Sequence, residues 1–258
     1  MTRIIVAIAA LAAIGQAFGG TDGRLPEIFK PGSLVLFQGD SITHGNRARD
    51  MNHYLGHGYQ AEIAMRYLAY RPDLNLEFAN RGISGNSSSN LVARWHVDAF
   101  PLTVDENGYE KPFPGGKGTR MPDFVSILVG INDCLSSHPE NRVTAEDYER
   151  NLRYMVTNSL ALNPSVRIVL CEPFRLPEDT SPDFVRRQRI VRDLAAEYGL
   201  TFVPFQRLFS DILMKERPQA GYWFWDKAHP TYAAHMRMAD FWIETVGCVS
   251  SHKEPGRN

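Results

Sequence analysis

The sequence predicts an α/β fold in which a doubly wound, parallel sheet of five strands carries helices on both faces. Five short apolar runs without polar alternation are typical of strands buried on both sides. They alternate with longer stretches whose apolar residues recur at helical spacing, which is the pattern of a parallel sheet with crossover helices. With 258 residues, 43% of them hydrophobic, the chain is long enough for one large core.

The five predicted strands are short and rich in branched or aromatic residues. In chain order they are Ser33–Phe37, Leu76–Ala79, Phe124–Val129, Val166–Leu170 and Thr201–Val203. Several of them end in turns that contain glycine and polar side chains. Because ligands bind at the carboxyl ends of the strands in open α/β sheets, these turns are the first place to look for a site.

Helices are predicted between the strands by apolar periodicity and by capping residues. Thr144 and Ser181 stand where N-caps belong, and Pro182 follows at the first helical position. The last helix should turn one apolar face inward. The predicted helices cover 58–70, 91–97, 145–162, 182–198, a segment from about 205, and a final segment containing Ala234, Met238, Trp242 and Val246.

The amino terminus resembles a secretory leader. One positive charge at Arg3 precedes a short apolar run, and small residues at Gly15 and Ala17 fit a cleavage site. We expect residues 1–17 to be a signal peptide and residues 18–258 to form a single domain. The mature protein should then be secreted or periplasmic. The alternative, a membrane anchor, is disfavoured because the run is shorter than the roughly 20 residues of a span, and no later segment is suited to stable membrane insertion.

Charge and cysteine content narrow the function further. A formal net charge of −1 gives no electrostatic case for binding nucleic acid. Cys134 and Cys171 each fall just past a predicted strand and could pair in an oxidising compartment; three unpaired thiols, with Cys248, are the open alternative. Residues 98–121 are rich in proline and glycine, which predicts an inserted loop without long regular structure.

Ser41 is the predicted nucleophile. The first strand runs directly into Gly39-Asp40-Ser41, which places a hydroxyl on a tight turn at the carboxyl edge of the sheet. A serine hydroxyl is a weak nucleophile, so a nearby base must take its proton. The rest of the chain should supply that base.

His229 and Asp226 are the predicted base and its partner. Histidine titrates near neutral pH, and Pro230 disfavours helical geometry at His229, so the imidazole should lie on a loop at the mouth of the last helix. Asp226, three residues earlier, can accept the other ring N–H and stabilise the imidazolium, as the aspartate of a catalytic triad does.

The attacked carbonyl develops negative charge and needs hydrogen-bond donors, the oxyanion hole. The backbone N–H of Ser41 is one candidate. Gly82 follows the second strand and could bring another N–H close, because it has no side chain. Asn132 follows the third strand and can offer a side-chain amide.

Four segments together resemble the SGNH (GDSL-type) hydrolases, and they occur in that family's order. They are Gly39–Thr43, Asn80–Gly85, Gly130–Asp133 and Asp226–Pro230. The resemblance implies a flavodoxin-like, three-layer α/β/α fold and a serine esterase with neither metal nor cofactor. It implies Ser41 as nucleophile, Asp226 and His229 as acid and base, and Gly82 and Asn132 as oxyanion donors. The Gly-x-Ser-x-Gly motif of α/β-hydrolases is missing around every serine.

Other polar and aromatic residues near these segments have two readings. His44, His53 and His57 could touch substrate, but a solvated loop is the simpler interpretation, and His235 is expected on the surface of the last helix. Asp40 and Asp133 are expected to hold turns. Trp223 and Trp225 precede the acid–base pair, and these two and Trp95 are candidates for substrate contact, since indole faces stack on sugar rings and acyl chains.

The sequence therefore predicts a secreted serine esterase acting on a small ester or acetylated saccharide. Removal of an O-acetyl group from a carbohydrate through an acyl-enzyme is the preferred reading. A lipolytic esterase or thioesterase acting on acyl chains is the first alternative, and an inert carbohydrate-binding module on the same fold is the second. The sequence does not determine the oligomeric state.

Overall fold

A computed structural model of the chain describes residues 25–47, 54–104, 118–135, 139–176, 181–216 and 219–251. Its centre is a five-stranded sheet made of β1 (Leu34–Gly39), β2 (Glu77–Asn80), β5 (Phe124–Leu128), β6 (Arg167–Cys171) and β7 (Thr201–Val203). All neighbouring strands are parallel, in the order β2-β1-β5-β6-β7. The predicted fold is confirmed, and the strand limits agree with the prediction to within two residues.

Helices connect the strands, and four of them are single short turns. In chain order they are α1 (Ser41–His44), α2 (Tyr59–Tyr70), α3 (Ser88–Ala93), α4 (Trp95–Asp98), α5 (Ile131–Leu135), α6 (Ala145–Leu162), α7 (Pro182–Glu197), α8 (Phe205–Lys215), α9 (Ala220–Trp223) and α10 (Tyr232–Ser251). The two predicted caps are present: Thr144 accepts the N–H of Asp147, and Ser181 accepts that of Phe184.

Two hydrophobic clusters, one on each face of the sheet, make the three layers. Alternate residues of β1 point to opposite sides, so Val35 and Phe37 pack with α2, α8 and α10, while Leu34 and Leu36 pack with α3, α4, α6 and α7. The predicted inward residues of α10 are all fully buried, and Trp242 donates its indole N–H to Ser126 of β5 at 3.1 Å.

The register of the sheet brings three polar turns to one edge. β1 lies between β2 and β5, with Phe37 opposite Asn80 and Gly39 opposite Leu128. The turns after these three strands are therefore neighbours. Gly39 must be glycine here, because a Cβ would lie only 2.2 Å from the backbone oxygen of Leu128.

The insertion contains a small antiparallel ribbon that the sequence did not predict. Strands β3 (Leu102–Val104) and β4 (Gly118–Arg120) pair with Leu102 opposite Arg120, and the Arg120 guanidinium forms an ion pair with Glu77 of β2. The intervening residues 105–117 lie outside the described part of the chain, so the shape of the whole insertion stays a prediction.

The proposed leader lies outside the described residues. No helix in the described ranges combines the length and the apolar character that crossing a membrane requires. Cys134 and Cys171 are both thiols, so the disulfide alternative is not adopted; Cys171 is buried with its Sγ 3.5 Å from Ser126 Oγ.

Candidate active site

The predicted nucleophile, Ser41, lies at the start of α1, in a turn that is fixed by a buried side chain. Asp40 caps this helix by accepting the N–H of Ile42 at 3.0 Å, and its carboxyl is almost completely buried. Burial raises the pKa of Asp40 to about 7, despite the hydrogen bond from Ile42. This confirms the structural role expected for Asp40.

Asn80 fastens the nucleophile turn to the end of β2. Its side-chain amide donates to the backbone oxygens of Thr43 and Leu55, each at 2.8 Å, and its Oδ1 accepts the N–H of Gly82 at 2.9 Å. Asn80 is fully buried. One side chain thus connects α1, the loop before α2 and the turn after β2. Sequence reasoning included Asn80 in a motif but assigned it no role.

The structure corrects the role predicted for Gly82. Its N–H donates to Asn80 Oδ1, and the residue is buried beneath α1, so this hydrogen does not face the cleft. Glycine is required for another reason: a Cβ would lie 2.4 Å from the backbone nitrogen of His44. The second glycine of this turn, Gly85, adopts φ +81° and is partly exposed beside Ser84, which does line the cleft.

Ser41, His229 and Asp226 form a continuous hydrogen-bonded chain. Ser41 Oγ lies 2.8 Å from His229 Nε2, and His229 Nδ1 lies 2.8 Å from Asp226 Oδ2. An ionised carboxylate can only accept, so Nδ1 carries the ring hydrogen and Nε2 accepts from the serine hydroxyl. The arrangement has the geometry that lets histidine take the proton of an attacking serine.

The acid and base lie on an exposed loop that is organised by its own backbone. Asp226 Oδ1 accepts the N–H groups of Ala228 and His229 at 2.7 and 2.8 Å. Phe224 and Pro230 form an isolated antiparallel bridge that closes the loop at its base. The side chains of Asp226 and His229 remain 56% and 45% exposed, so solvent and substrate can reach them.

Asp226 is held in its charged form. Partial burial acts to raise the pKa of this carboxyl, but hydrogen bonds from the backbone and ring of His229 and from the Ala228 N–H outweigh it, and the pKa lies below its ordinary value. A carboxylate that stays ionised at neutral pH can fix the imidazole tautomer throughout a reaction.

Asn132 lies at the first turn of α5, after β5 and at the same sheet edge as Ser41. Its side-chain amide donates to the backbone oxygen of Asn86 at 3.0 Å. A primary amide has two hydrogens, so this bond orients the group and leaves the second hydrogen for another acceptor. Next to it, buried Asp133 accepts the N–H and hydroxyl of Ser88, and burial raises its pKa to about 6.

A cleft of about 320 Å³ opens over the serine. Among the predicted aromatic contacts only Trp225 lines it, with 66% of its surface exposed. The predictions for Trp95 and Trp223 are wrong, because both side chains belong to the hydrophobic core. Trp95 is fully buried and stacks on Phe100, and Trp223 is only 5% exposed. The cleft is lined by Ser41, His44, Gly45, Asn46, His57, Ser84, Trp225, Asp226, His229, Pro230, Tyr232 and His235.

Three histidines besides His229 reach this cleft, contrary to expectation. His44 Nδ1 lies 3.3 Å from Ser84 Oγ, and burial lowers the pKa of His44. His57 packs edge-on against Tyr232, and His235 is buried instead of lying on the surface. His53 lies outside the described residues. Within the described ranges, no three His, Cys, Asp or Glu side chains are grouped so as to hold a metal ion.

Comparison with known proteins agrees with this geometry. The GDSL-like Lipase/Acylhydrolase family model matches residues 37–237, a stretch that contains the four motif segments. An acetylxylan esterase from Geobacillus stearothermophilus is 33% identical over 231 residues, which cover 84% of this chain and 94% of that protein.

Solved structures share the same fold. Axe2, an acetylxylan esterase from Geobacillus stearothermophilus, matches with a TM-score of 0.69 and 32% identity over 84% of this chain and 95% of its own. LAE5, described as an alpha/beta hydrolase enzyme from the metagenome of Lake Arreo, matches with a TM-score of 0.70 and 26% identity over 86% and 98%. The chain belongs to the GDSL-like lipase/acylhydrolase family and is a serine-dependent carboxylic ester hydrolase.

Proposed function

We propose that this esterase removes O-acetyl groups from a carbohydrate, outside the cytoplasm. The observation that carries the proposal is the chain of two 2.8 Å contacts from Ser41 through His229 to Asp226, three residues that line a small polar cleft. The similarity to an acetylxylan esterase supports an acetylated saccharide as substrate. The leader-like residues 1–17 support secretion or a periplasmic location.

The proposed reaction forms an acyl-enzyme. Ser41 Oγ attacks the acetyl carbonyl carbon while its proton passes to His229 Nε2, and the carbonyl oxygen becomes an oxyanion. When the tetrahedral intermediate collapses, the bond to the sugar oxygen breaks and His229 returns the proton to that oxygen. Water then attacks the acetyl-serine carbonyl carbon while its proton passes to His229. The bond between Ser41 Oγ and that carbon breaks, His229 returns the proton to Ser41 Oγ, and acetic acid leaves and ionises to acetate. Asp226 stabilises the imidazolium in both halves.

The oxyanion requires donors that are in place before it forms. The N–H of Ser41 and the second amide hydrogen of Asn132 fill this role in the proposal. Because the Gly82 N–H is bonded to Asn80, we assign the remaining backbone donor to the turn after β2 at Ser84, which lines the cleft.

The character of the cleft favours a sugar over an acyl chain. Imidazole, hydroxyl and carboxylate groups line most of it, while its aromatic members, Trp225 and Tyr232, lie exposed at 66% and 65%. Exposed aromatic faces beside polar groups suit a sugar ring, which has apolar faces and a polar edge. Nothing in the described residues favours the lipolytic enzyme or the inert binding module.

The test is ester hydrolysis by the wild type and by Ser41→Ala. With p-nitrophenyl acetate we expect kcat to fall by at least about 10³-fold, since loss of the nucleophile removes the covalent route. Ser165→Ala, an exposed serine before β6 on the opposite sheet edge, is the matched control and should behave as wild type. Equal rates for Ser41→Ala and wild type would remove Ser41 from the mechanism.

Substrate class is tested with acetate release from acetylated xylan, other acetylated polysaccharides and acetylated sialic acids, alongside p-nitrophenyl esters of increasing chain length. The proposal expects acetate release from at least one carbohydrate and a preference for the acetyl ester. A preference for long acyl chains would instead favour the lipolytic reading. Sugar binding without hydrolysis of any ester would favour the inert module.

A further inference from the structure

His235 is a cleft residue that the reaction described above does not use. It lies in the first turn of α10 and is 8% exposed, yet its ring forms part of the cleft wall together with Ser41 and His229. Its Nδ1 accepts the backbone N–H of Tyr59, the first residue of α2, at 3.1 Å. The ring is thus fixed in orientation by a backbone group that cannot rotate away.

This hydrogen bond determines the tautomer of the ring. An imidazole that accepts at Nδ1 and is neutral carries its one hydrogen at Nε2. Burial, with a further contribution from nearby His229, lowers the pKa of His235 to about 4, so the ring stays neutral near pH 7. Among the described residues, none forms a hydrogen bond with Nε2, so none of them accepts its hydrogen.

The other cleft histidines lack this combination of a fixed tautomer and an unused nitrogen. The contact of His44 Nδ1 with Ser84 Oγ does not fix the His44 tautomer, because a hydroxyl can donate or accept, and both nitrogens of His229 are hydrogen-bonded. His57 packs its ring against Tyr232. Among these rings, His235 therefore combines a fixed tautomer with a nitrogen left for a ligand.

We infer that His235 is a fixed hydrogen-bond donor of the substrate cleft, and that its Nε2–H binds an oxygen on the alcohol side of the ester. The inference rests on the proposed function and narrows it to a polyhydroxylated alcohol. The single carbonyl oxygen of an acetyl group is already bound by the oxyanion donors. Only the alcohol part offers further hydroxyl or ring oxygens, and an acyl chain offers none.

Two substitutions separate the two nitrogens of the ring. In His235→Asn the amide oxygen takes the position of Nδ1 and can still accept the Tyr59 N–H, but the donor at Nε2 is lost. In His235→Gln the amide nitrogen takes the position of Nε2 and restores a donor, while the acceptor for Tyr59 is lost. His96→Asn, an exposed histidine on α4, is the matched control.

For each variant, kcat and KM are measured with acetylated xylo-oligosaccharide and with p-nitrophenyl acetate, whose alcohol has no hydroxyl or ring oxygen. We expect His235→Asn to raise KM for the oligosaccharide about 10-fold, the effect of one hydrogen bond, with a loss at least fivefold smaller on p-nitrophenyl acetate. His235→Gln should recover most of the affinity for the oligosaccharide despite a lower melting temperature. His96→Asn should match wild type on both substrates.

Two results would overturn the inference. If His235→Asn loses activity equally on both substrates, or retains wild-type KM for the oligosaccharide, then His235 only supports the fold or is not contacted. Failure of the proposed function looks different: wild type would hydrolyse p-nitrophenyl acetate but release no acetate from any acetylated sugar. That outcome overturns both proposals, whereas the first two leave the deacetylase proposal standing.

Discussion

The serine and its histidine are held by two regions built in opposite ways. The nucleophile turn, Asp40–His44, is mostly buried and is fixed by residues distant in sequence, above all Asn80. The acid–base loop, Trp225–Pro230, is largely exposed and is fixed by hydrogen bonds between residues two to four apart. The hydrogen bond between Ser41 Oγ and His229 Nε2 joins the two regions.

The difference has a practical meaning for mutations. Substitutions that disturb the nucleophile turn break buried hydrogen bonds, so they should lower stability and activity together. Damage to the acid–base loop should lower activity with little cost in stability, because few buried groups depend on it. Three predictions test this contrast, and they are given from the largest expected effect to the smallest.

Asp226→Asn should reduce kcat by about 10³- to 10⁴-fold. The amide keeps an oxygen for the N–H groups of Ala228 and His229 but no longer accepts from the His229 ring with a full charge, so the tautomer and the imidazolium lose their support. The melting temperature should change by no more than about 2 °C, as for surface substitutions. Steady-state kinetics with p-nitrophenyl acetate and thermal unfolding measure the two effects.

Asp226→Ala is the companion variant, since it also removes the acceptor for the two backbone N–H groups. It should be at least as inactive and somewhat less stable. If Asp226→Asn instead lowered the melting temperature by as much as a core substitution, the acid–base loop would not be the independent unit described above.

Asn80→Ala should lower stability and activity together. It leaves the backbone oxygen of Thr43 and the N–H of Gly82 without their buried partner, and the oxygen of Leu55 with only Gln60 as donor, which costs roughly 2–4 kcal/mol of unfolding free energy. The Ser41 hydroxyl then shifts, and we expect kcat to fall about 10- to 100-fold. Urea unfolding and kinetics on the same preparation check both numbers.

Asn163→Ala is the control for Asn80. Asn163 ends α6 and donates to the backbone oxygen of Pro122 at 2.9 Å, on the opposite edge of the sheet. Its loss should reduce stability while leaving kcat at the wild-type value. A normal kcat in Asn80→Ala would mean that the nucleophile turn holds its shape without this side chain.

Asp40→Asn should change the pH dependence of stability more than activity. The folded-state pKa of Asp40, about 7, exceeds its ordinary value of 3.8, so between these values the folded wild type holds a proton that the unfolded chain has lost. Wild-type stability from this group is therefore full at low pH and is lost as pH rises through about 7. The amide keeps an oxygen for the Ile42 N–H and does not titrate.

The unfolding free energy of Asp40→Asn relative to wild type should accordingly rise by up to about 1.4 kcal/mol per pH unit between pH 3.8 and about 7. Above that range the difference should stay constant. Unfolding free energies at pH 5, 6, 7 and 8 give the slope. Asp133 has a raised pKa of the same sign, but it is present in both proteins and cancels in the difference. If the difference in unfolding free energy between the two proteins does not vary with pH, the pKa of buried Asp40 is not raised.

The fold was predictable because its elements carry strong local patterns. Continuous apolar runs identified each strand of the central sheet, and Thr144 and Ser181 marked helix starts that the structure confirms. The pairing of β3 with β4 was not predictable, since a three-residue ribbon has almost no periodicity.

The site was likewise predictable where it depends on local sequence and not where it depends on tertiary packing. Asp226 and His229 interact at short sequence separation, so their pairing is visible in the sequence, whereas the hydrogen bond of Gly82 to Asn80 and the burial of Trp95 depend on tertiary packing. His235 is one helical turn after Thr231 and four residues from buried Ala239, so periodicity alone could have placed it inward. Its hydrogen-bond donor, the Tyr59 N–H, comes from a helix distant in sequence.

The bridge between Phe224 and Pro230 separates the acid–base loop from the core. In this loop, Lys227 is exposed and Ala228 is half-buried, and both lie between two residues that line the cleft, Asp226 and His229. Directed evolution can therefore change the edge of the cleft at these two positions without replacing Ser41, His229 or Asp226. A library randomised there, excluding proline at 228, offers a route to altered saccharide preference with catalytic power retained.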